Sequence, residues 1–204
     1  KTASFSLGKR LSVLTKQNGE YHERCWDLDF VSECNEWRLF RSLPQDVKEI
    51  IGDIPGDSGT IVLIDKLDRF IGSGTEKKIK QSSSLTKIRR IKAHLEFVFH
   101  SIISEMKVKF TLNGLELEPW DPYILSNPRT VEGEKQILRL NGYRVIVSPY
   151  VLPHPSHFNA VEYKMAGGIR GWRDQQGFYI YRENRLLYFG DWLGILPKET
   201  ASQL

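Results

Sequence analysis

The chain has 204 residues and a mass of 23.6 kDa, with 40% apolar, 26% charged and 11% aromatic residues. That balance excludes a disordered or collagen-like chain and leaves room for one large domain or two small ones. The net charge is +4. Residues 1–70 hold 10 basic and 12 acidic groups, residues 71–110 hold 9 and 3, and residues 111–204 hold 10 of each, so the surplus lies in the middle.

The chain opens on Lys1 inside a periodic segment with no apolar leader, and reads as a fragment. Arg10 to Thr15 alternates as a strand. Gln17-Asn-Gly19 supplies a turn, and Cys25 to Val31 reads as a second strand with Trp26, Leu28 and Phe30 on one face. A short helix is expected after Pro44, with Val47, Ile50 and Ile51 inward. Gly59 to Ile64 then reads as a strand apolar on both faces, as at the centre of a sheet.

Residues 72–84 are rich in Gly, Ser and Lys and mark the one clear shift in composition, so they are assigned as a linker between residues 1–71 and 85–204. Ser84 is placed as the cap of a five-turn amphipathic helix in which Leu85, Ile88, Ile91, Leu95, Val98, Ile102 and Met106 recur every three or four residues. Asn113-Gly114 and Asn141-Gly142 signal two hairpins, and Glu183-Asn184 a third. Three prolines between Pro149 and His157 predict an extended loop. The second half is therefore β-rich with at least one long helix.

Chemistry-bearing residues are sparse. Cys25 and Cys34 lack metal or redox spacing and read as reduced thiols, with a single disulfide between them as the alternative. Gly56-Asp-Ser-Gly59 resembles a serine-nucleophile signature, but the preceding chain is too short for the fold that uses it, so a turn into a strand is preferred. His94, His100, His154 and His157 have no neighbouring Cys or zinc-binding helix and read as ordinary polarity rather than as metal ligands. Asp27 and Asp29 read as the solvated side of their strand. Trp26, Trp37 and Trp120 are assigned to the core, and Trp172 and Trp192 are left open. Seven basic residues, Lys77, Lys78, Lys80, Lys87, Arg89, Arg90 and Lys92, lie within sixteen positions and partly on one helix face, which suits either phosphate neutralisation or a solvated linker.

Three segments resemble one family. Lys1-Thr-Ala-Ser-Phe-Ser-Leu-Gly-Lys-Arg-Leu-Ser-Val-Leu-Thr-Lys16 resembles the stretch after the second glycine box of GHKL ATPases (gyrase, heat-shock chaperone, histidine kinase, MutL), in particular bacterial microrchidia-like ATPases. Ser58-Gly-Thr-Ile-Val-Leu-Ile-Asp-Lys-Leu-Asp68 is similar to their late strand. Gln176-Gly-Phe-Tyr-Ile-Tyr-Arg-Glu-Asn-Arg-Leu-Leu187 is similar to the hairpin of their transducer domain.

The resemblance implies an α+β chain: a partial Bergerat-type α/β sandwich, residues 1–71, followed by a βαβ transducer-like domain, residues 85–204, incomplete at its C-terminus. It implies nucleotide contacts from Lys1, Thr2 and Ser4 beside the phosphates and from Gly59 and Thr60 at the adenine edge, where a helix start and a strand hydroxyl offer donors. ATP and magnesium would be cofactors of the parent protein, which would pair as a homodimer when ATP binds, remodel a partner such as DNA, and be cytoplasmic and bacterial. Gly72 and Gly74 would serve as the hinge. The family's general-base Glu, magnesium-binding Asn and adenine-binding Asp-x-Gly-x-Gly are not in the sequence, and Lys198 is not equated with the transducer lysine, so no tight ATP binding is expected of these residues alone. The alternative is a non-catalytic nucleic-acid-binding or dimerisation module centred on residues 77–92.

Overall fold

The structure, a computed structural model, describes residues 2–68, 77–106, 108–169 and 171–196. Lys1, Gly72, Gly74 and Lys198 lie outside them. The chain divides into two compact units, residues 1–85 and 86–204, and combines helices with strands, a mixed α+β organisation.

The first unit runs α1 (Thr2–Phe5), β1 (Arg10–Gln17), β2 (Glu20–Asp27), α2 (Leu28–Cys34), α3 (Gln45–Ile51) and β3 (Gly59–Asp65). β1 and β2 form a hairpin closed by Asn18 and Gly19 at φ 51° and 82°, the positive values that a two-residue turn matching the strand twist demands. The sheet order is β2-β1-β3, antiparallel throughout. The second strand thus begins five residues before its expected start at Cys25 and stops at Asp27. There the side chain accepts the Asp29 N–H at 3.1 Å and caps α2, and Asn35 at φ 51° closes it. Leu28 and Phe30 are consequently helical and share no strand face with Trp26.

One sheet face is covered. Leu14, Cys25, Leu43, Val47 and Ile54 form its core, with Phe40, Ile51, Ile61 and Leu63 against it. Val47 and Ile51 stand one turn apart and face the sheet, whereas Ile50, expected inward, is exposed because so short a helix presents only a narrow stripe. β3 is an edge strand rather than the centre of the sheet: among the described residues only β1 pairs with it, and Val62 is 56% exposed. Trp37, assigned to the core from sequence, is 72% exposed, with the Phe5 ring centred 6.4 Å from its own.

α4 (Lys77–Val98) starts well before Ser84, since the run Lys77 to Ser83 contains no glycine or proline to prevent a helix; residues 77–84 of the expected linker are its opening turns. The single helix expected to reach Met106 is interrupted at Phe99 (φ −106°, ψ 13°), and α5 (His100–Glu105) follows. The buried positions are Phe97, Val98 and His100, while Leu85, Ile91 and Met106 of the expected stripe are exposed.

The strands of the second unit are β4 (Thr111–Leu112), β5 (Leu115–Glu116), β6 (Val131–Glu132), β7 (Gln136–Leu140), β8 (Tyr143–Val147), β9 (Tyr150–Val151), β10 (Phe178–Arg182) and β11 (Arg185–Asp191), with α6 (Ala160–Ala166) after β9. They form four separate antiparallel ladders, β4-β5, β6-β9, β7-β8 and β10-β11, and all three hairpin turns fall where the sequence puts them. The segment Pro149–His157 is more ordered than a loop, with β9 pairing β6 and a 3-10 turn at Pro155–His157. The core gathers Phe97, Val98 and Leu186, flanked by Phe99, Trp120, Tyr179, Tyr181 and Phe189. Among the described residues no helix is long and apolar enough to cross a membrane.

Candidate functional site

In the first unit the strand register sets a second, open sheet face. Leu11 stands between Trp26 and Ile64, Val13 between Arg24 and Val62, and Thr15 between His22 and Thr60. Leu11 is buried, but Val62 and Thr60 are exposed, so the face opens toward the Thr60 end. Thr60 donates its hydroxyl to Thr15 at 3.4 Å, a pair of hydroxyls at the margin of an apolar surface. The sequence predicts Thr60 in a strand buried on both faces. It is exposed because β3 lies at the sheet edge. Gly59 lies against Ile54, whose Cγ2 is 2.6 Å from where a Cβ would stand, so a larger residue there would have to displace the Ile54 side chain.

The other end of the sheet carries charge. Arg10, largely buried, donates Nε to both Asp65 oxygens at 2.9 and 3.0 Å and Nη2 to Asp46 at 2.6 Å. Lys66 bridges Asp27 (2.7 Å) and Asp29 (2.9 Å), and Lys9 reaches Asp29 at 3.0 Å. These contacts hold the Asp29 and Asp46 carboxyls below the usual range, through hydrogen bonds from Lys66 and Lys9 in one case and from Arg10 in the other. Asp27 and Asp29, read as a solvated strand face, are thus ion-pair partners of Lys66, and Asp27 is also the cap of α2.

Gly59 and Thr60 pair with Lys16 and Thr15, at the far end of β1. Thr2 and Ser4 belong to α1, whose chain enters β1 at Arg10. The five residue steps between Arg10 and Thr15 correspond to roughly 17 Å of strand. The structure therefore joins Gly59 with Thr60 and leaves Ser4 toward the opposite end of the sheet.

Lys77, Lys78 and Lys80 lie in the opening turn of α4. Lys87, Arg89 and Arg90 are exposed, and Lys92 is paired with Glu96, whose Oε1 also accepts the Glu118 N–H at 3.1 Å. At about 100° per residue, Arg89 points some 160° from Lys87. The seven positions encircle the helix instead of sharing a face.

The second unit contains a polar array that sequence spacing does not announce. Tyr123 Oη donates to Tyr181 Oη at 2.9 Å, and Tyr181 Oη lies 3.1 Å from His100 Nε2. His100 Nδ1 lies 2.6 Å from the Phe97 carbonyl, which can only accept. Nδ1 is therefore the protonated nitrogen, and Nε2 accepts from Tyr181. Burial pushes Tyr123 up to about 12 and raises Tyr181 further. Nearby, three donors meet the last carbonyls of α6 and its C-cap: Trp172 Nε1 to Tyr163 (2.9 Å), Trp120 Nε1 to Met165 (3.2 Å), and Gln175 Nε2 to Gly167. An open depression of about 340 Å³ lies beside them, lined by Ala93, Glu96, Trp120, Lys164, Met165 and Ile169.

Both cysteines are free, Cys25 buried and Cys34 half-buried. Ser58 is exposed. Among the described residues no group of three His, Cys, Asp or Glu side chains is placed to hold a metal ion, and His154 bonds Ser156 rather than His157. No protein-family model, curated protein or solved structure matches the chain.

Proposed function

We propose that residues 1–71 form part of a GHKL-type nucleotide-binding domain and residues 85–204 a transducer-like domain, in a protein that couples ATP-driven pairing of two copies to remodelling of a partner such as DNA. The observation that carries this reading is the open sheet face, on which Val13, Val62 and the Thr15–Thr60 hydroxyl pair lie side by side. An apolar floor with a pair of hydroxyls at its margin suits an adenine ring, which buries its faces and hydrogen-bonds at its edge. The hairpin Phe178–Asp191 carries the most specific segment of the resemblance. Catalysis would be metal-assisted attack of water on the γ-phosphate. The carboxylate base and the magnesium ligand for that step would come from residues outside this sequence. The chain's own part is to provide the floor under the base.

The test is a backbone amide NMR titration with ATP and magnesium. Millimolar affinity, about 4 kcal/mol, is expected, with shifts concentrated at Thr15, Thr60 and Val62 and removed in Thr60→Val. Shifts confined to other residues, or none, would overturn the reading. The exposed Lys87, Arg89 and Arg90 support a second reading, in which α4 neutralises nucleic-acid phosphates. It predicts affinity for duplex DNA that falls steeply with salt, with a shallower slope in Lys87→Ala and Arg90→Ala.

A further inference from the structure

The β7-β8 ribbon is mainly apolar on one face, carries two isoleucines and two arginines on the other, and is covered on neither. All ten of its strand residues are exposed, Tyr143 at 76%, Ile137 at 60% and Leu140 at 58%. The register places Gln136 with Val147, Leu138 with Val145 and Leu140 with Tyr143 on one face, and Ile137 with Ile146 and Arg139 with Arg144 on the other. Among the described residues no strand pairs with either outer edge. A lone two-stranded hairpin is marginal in water, and one that shows seven large apolar side chains to solvent has the composition of strands from the inside of a sheet.

We infer that β8 pairs with β8 of a second copy of this chain, edge to edge and antiparallel, about a two-fold axis at Val145. The pattern of hydrogen bonds selects that register. Leu140 and Tyr143 flank the two-residue turn and exchange bonds, so the alternation of an antiparallel ladder leaves the N–H and C=O of Arg144 and Ile146 pointing away from β7. A two-fold axis at Val145 sets Arg144 of each copy opposite Ile146 of the other and satisfies all of those groups. Tyr143 then faces Val147, and Val145 faces itself, so one face of the four-stranded sheet is apolar across the junction and no two arginines are opposed across it. The alternative through β7, about Leu138, would set Gln136 against Leu140. β8 is also the strand richer in β-branched and aromatic residues. The pairing sets Tyr143, Val145 and Val147 of the two copies side by side on one face, so cross-strand apolar pairs add to the backbone bonds. The ribbon has no acidic residue and two arginines, so the pairing rests on apolar contact and backbone bonds and is not weakened by salt. This pairing is independent of the nucleotide reading.

Light scattering on the purified chain should give twice 23.6 kDa at about 100 µM, in low and high salt alike. In a Cys34→Ser background, Val145→Cys should form a disulfide-linked dimer on mild oxidation. Residues facing each other across a pair without hydrogen bonds have Cα atoms about 4.5 Å apart, within disulfide reach. Leu138→Cys should not link. Ile146→Pro removes an outward N–H and leaves the β7-β8 ladder intact, and should weaken the dimer at least about tenfold with an unchanged far-ultraviolet spectrum. Val145→Lys should do the same by charge. A monomer at that concentration, a dimer that Val145→Cys does not link, or linkage through Leu138→Cys would each overturn the proposal, as would a monomer that dimerises only when an acidic peptide is added.

Discussion

Tyr181 Oη stands 3.1 Å from His100 Nε2, although 81 residues separate them in the chain. The bond ties β10 to α5, and it is continued on one side by Tyr123 and on the other by the Phe97 carbonyl. Tyr181→Phe removes the donor to a buried imidazole and the acceptor of Tyr123 together. Leaving such groups unpaired costs about 2 kcal/mol, which urea unfolding should register for the second unit. Tyr123→Phe removes only the outermost donor and should cost less than half as much.

The same array predicts an alkaline transition. Tyr123 titrates at about 12 in the folded chain and near 10 when unfolded, because burial opposes the phenolate. The unfolded form thus loses its proton first. Stability from this group is complete below pH 10 and is lost as pH rises toward 12. Ultraviolet titration should show tyrosines ionising in two groups, the later one coincident with unfolding; a single group near 10 would contradict the burial of Tyr123 and Tyr181.

At low pH the first unit is the sensitive one. Arg10 depresses the Asp46 carboxyl, Lys66 and Lys9 depress Asp29, and the Leu43 N–H with Lys48 depresses Glu23. Depressed carboxyls stabilise the fold above their unfolded values, near 4, and that contribution disappears as pH falls through the folded ones. Melting temperature should therefore fall below pH 4, and added salt should reproduce part of the loss at neutral pH because the groups are exposed. Arg10→Met tests the buried half of the network. It strands Asp65, and the expected cost is about 3 kcal/mol.

How legible this was from sequence depends on the range of the signal. Asn18-Gly19, Asn113-Gly114 and Asn141-Gly142 were readable because a two-residue turn needs positive φ within those two residues. The strand-like alternation of Trp26, Leu28 and Phe30 concealed α2, whose real signals were the cap at Asp27 and the left-handed Asn35. The capping box of Asn159 and Glu162 marks α6 and was readable by the same rule, but the following residues bury nothing and so give no apolar period. β3 looked like a central strand because composition reports apolar residues and not which strand lies beside them. The His100–Tyr181–Tyr123 array and the indole caps of α6 join residues 9 to 81 positions apart, and no local pattern encodes such meetings.

Gly168 offers a test of how the turn after α6 is held. Its φ is +56°, and an added Cβ would stand 2.5 Å from the Trp120 ring and 2.4 Å from Gln175 Oε1. Trp120 cannot yield easily, since its indole N–H bonds the Met165 carbonyl and its ring lies 4.8 Å from Phe97. Gly168→Ala therefore combines a left-handed backbone cost of about 1 kcal/mol with overpacking of about 1–3 kcal/mol. Gly171 has φ +86° and nothing within 4 Å, so Gly171→Ala carries the backbone cost alone. Urea unfolding should separate the two variants by more than about 1 kcal/mol, with Gly168→Ala the less stable. Trp120 fluorescence should shift only in Gly168→Ala. Equal losses would mean that the indole is free to move and that the caps of α6 do not hold it.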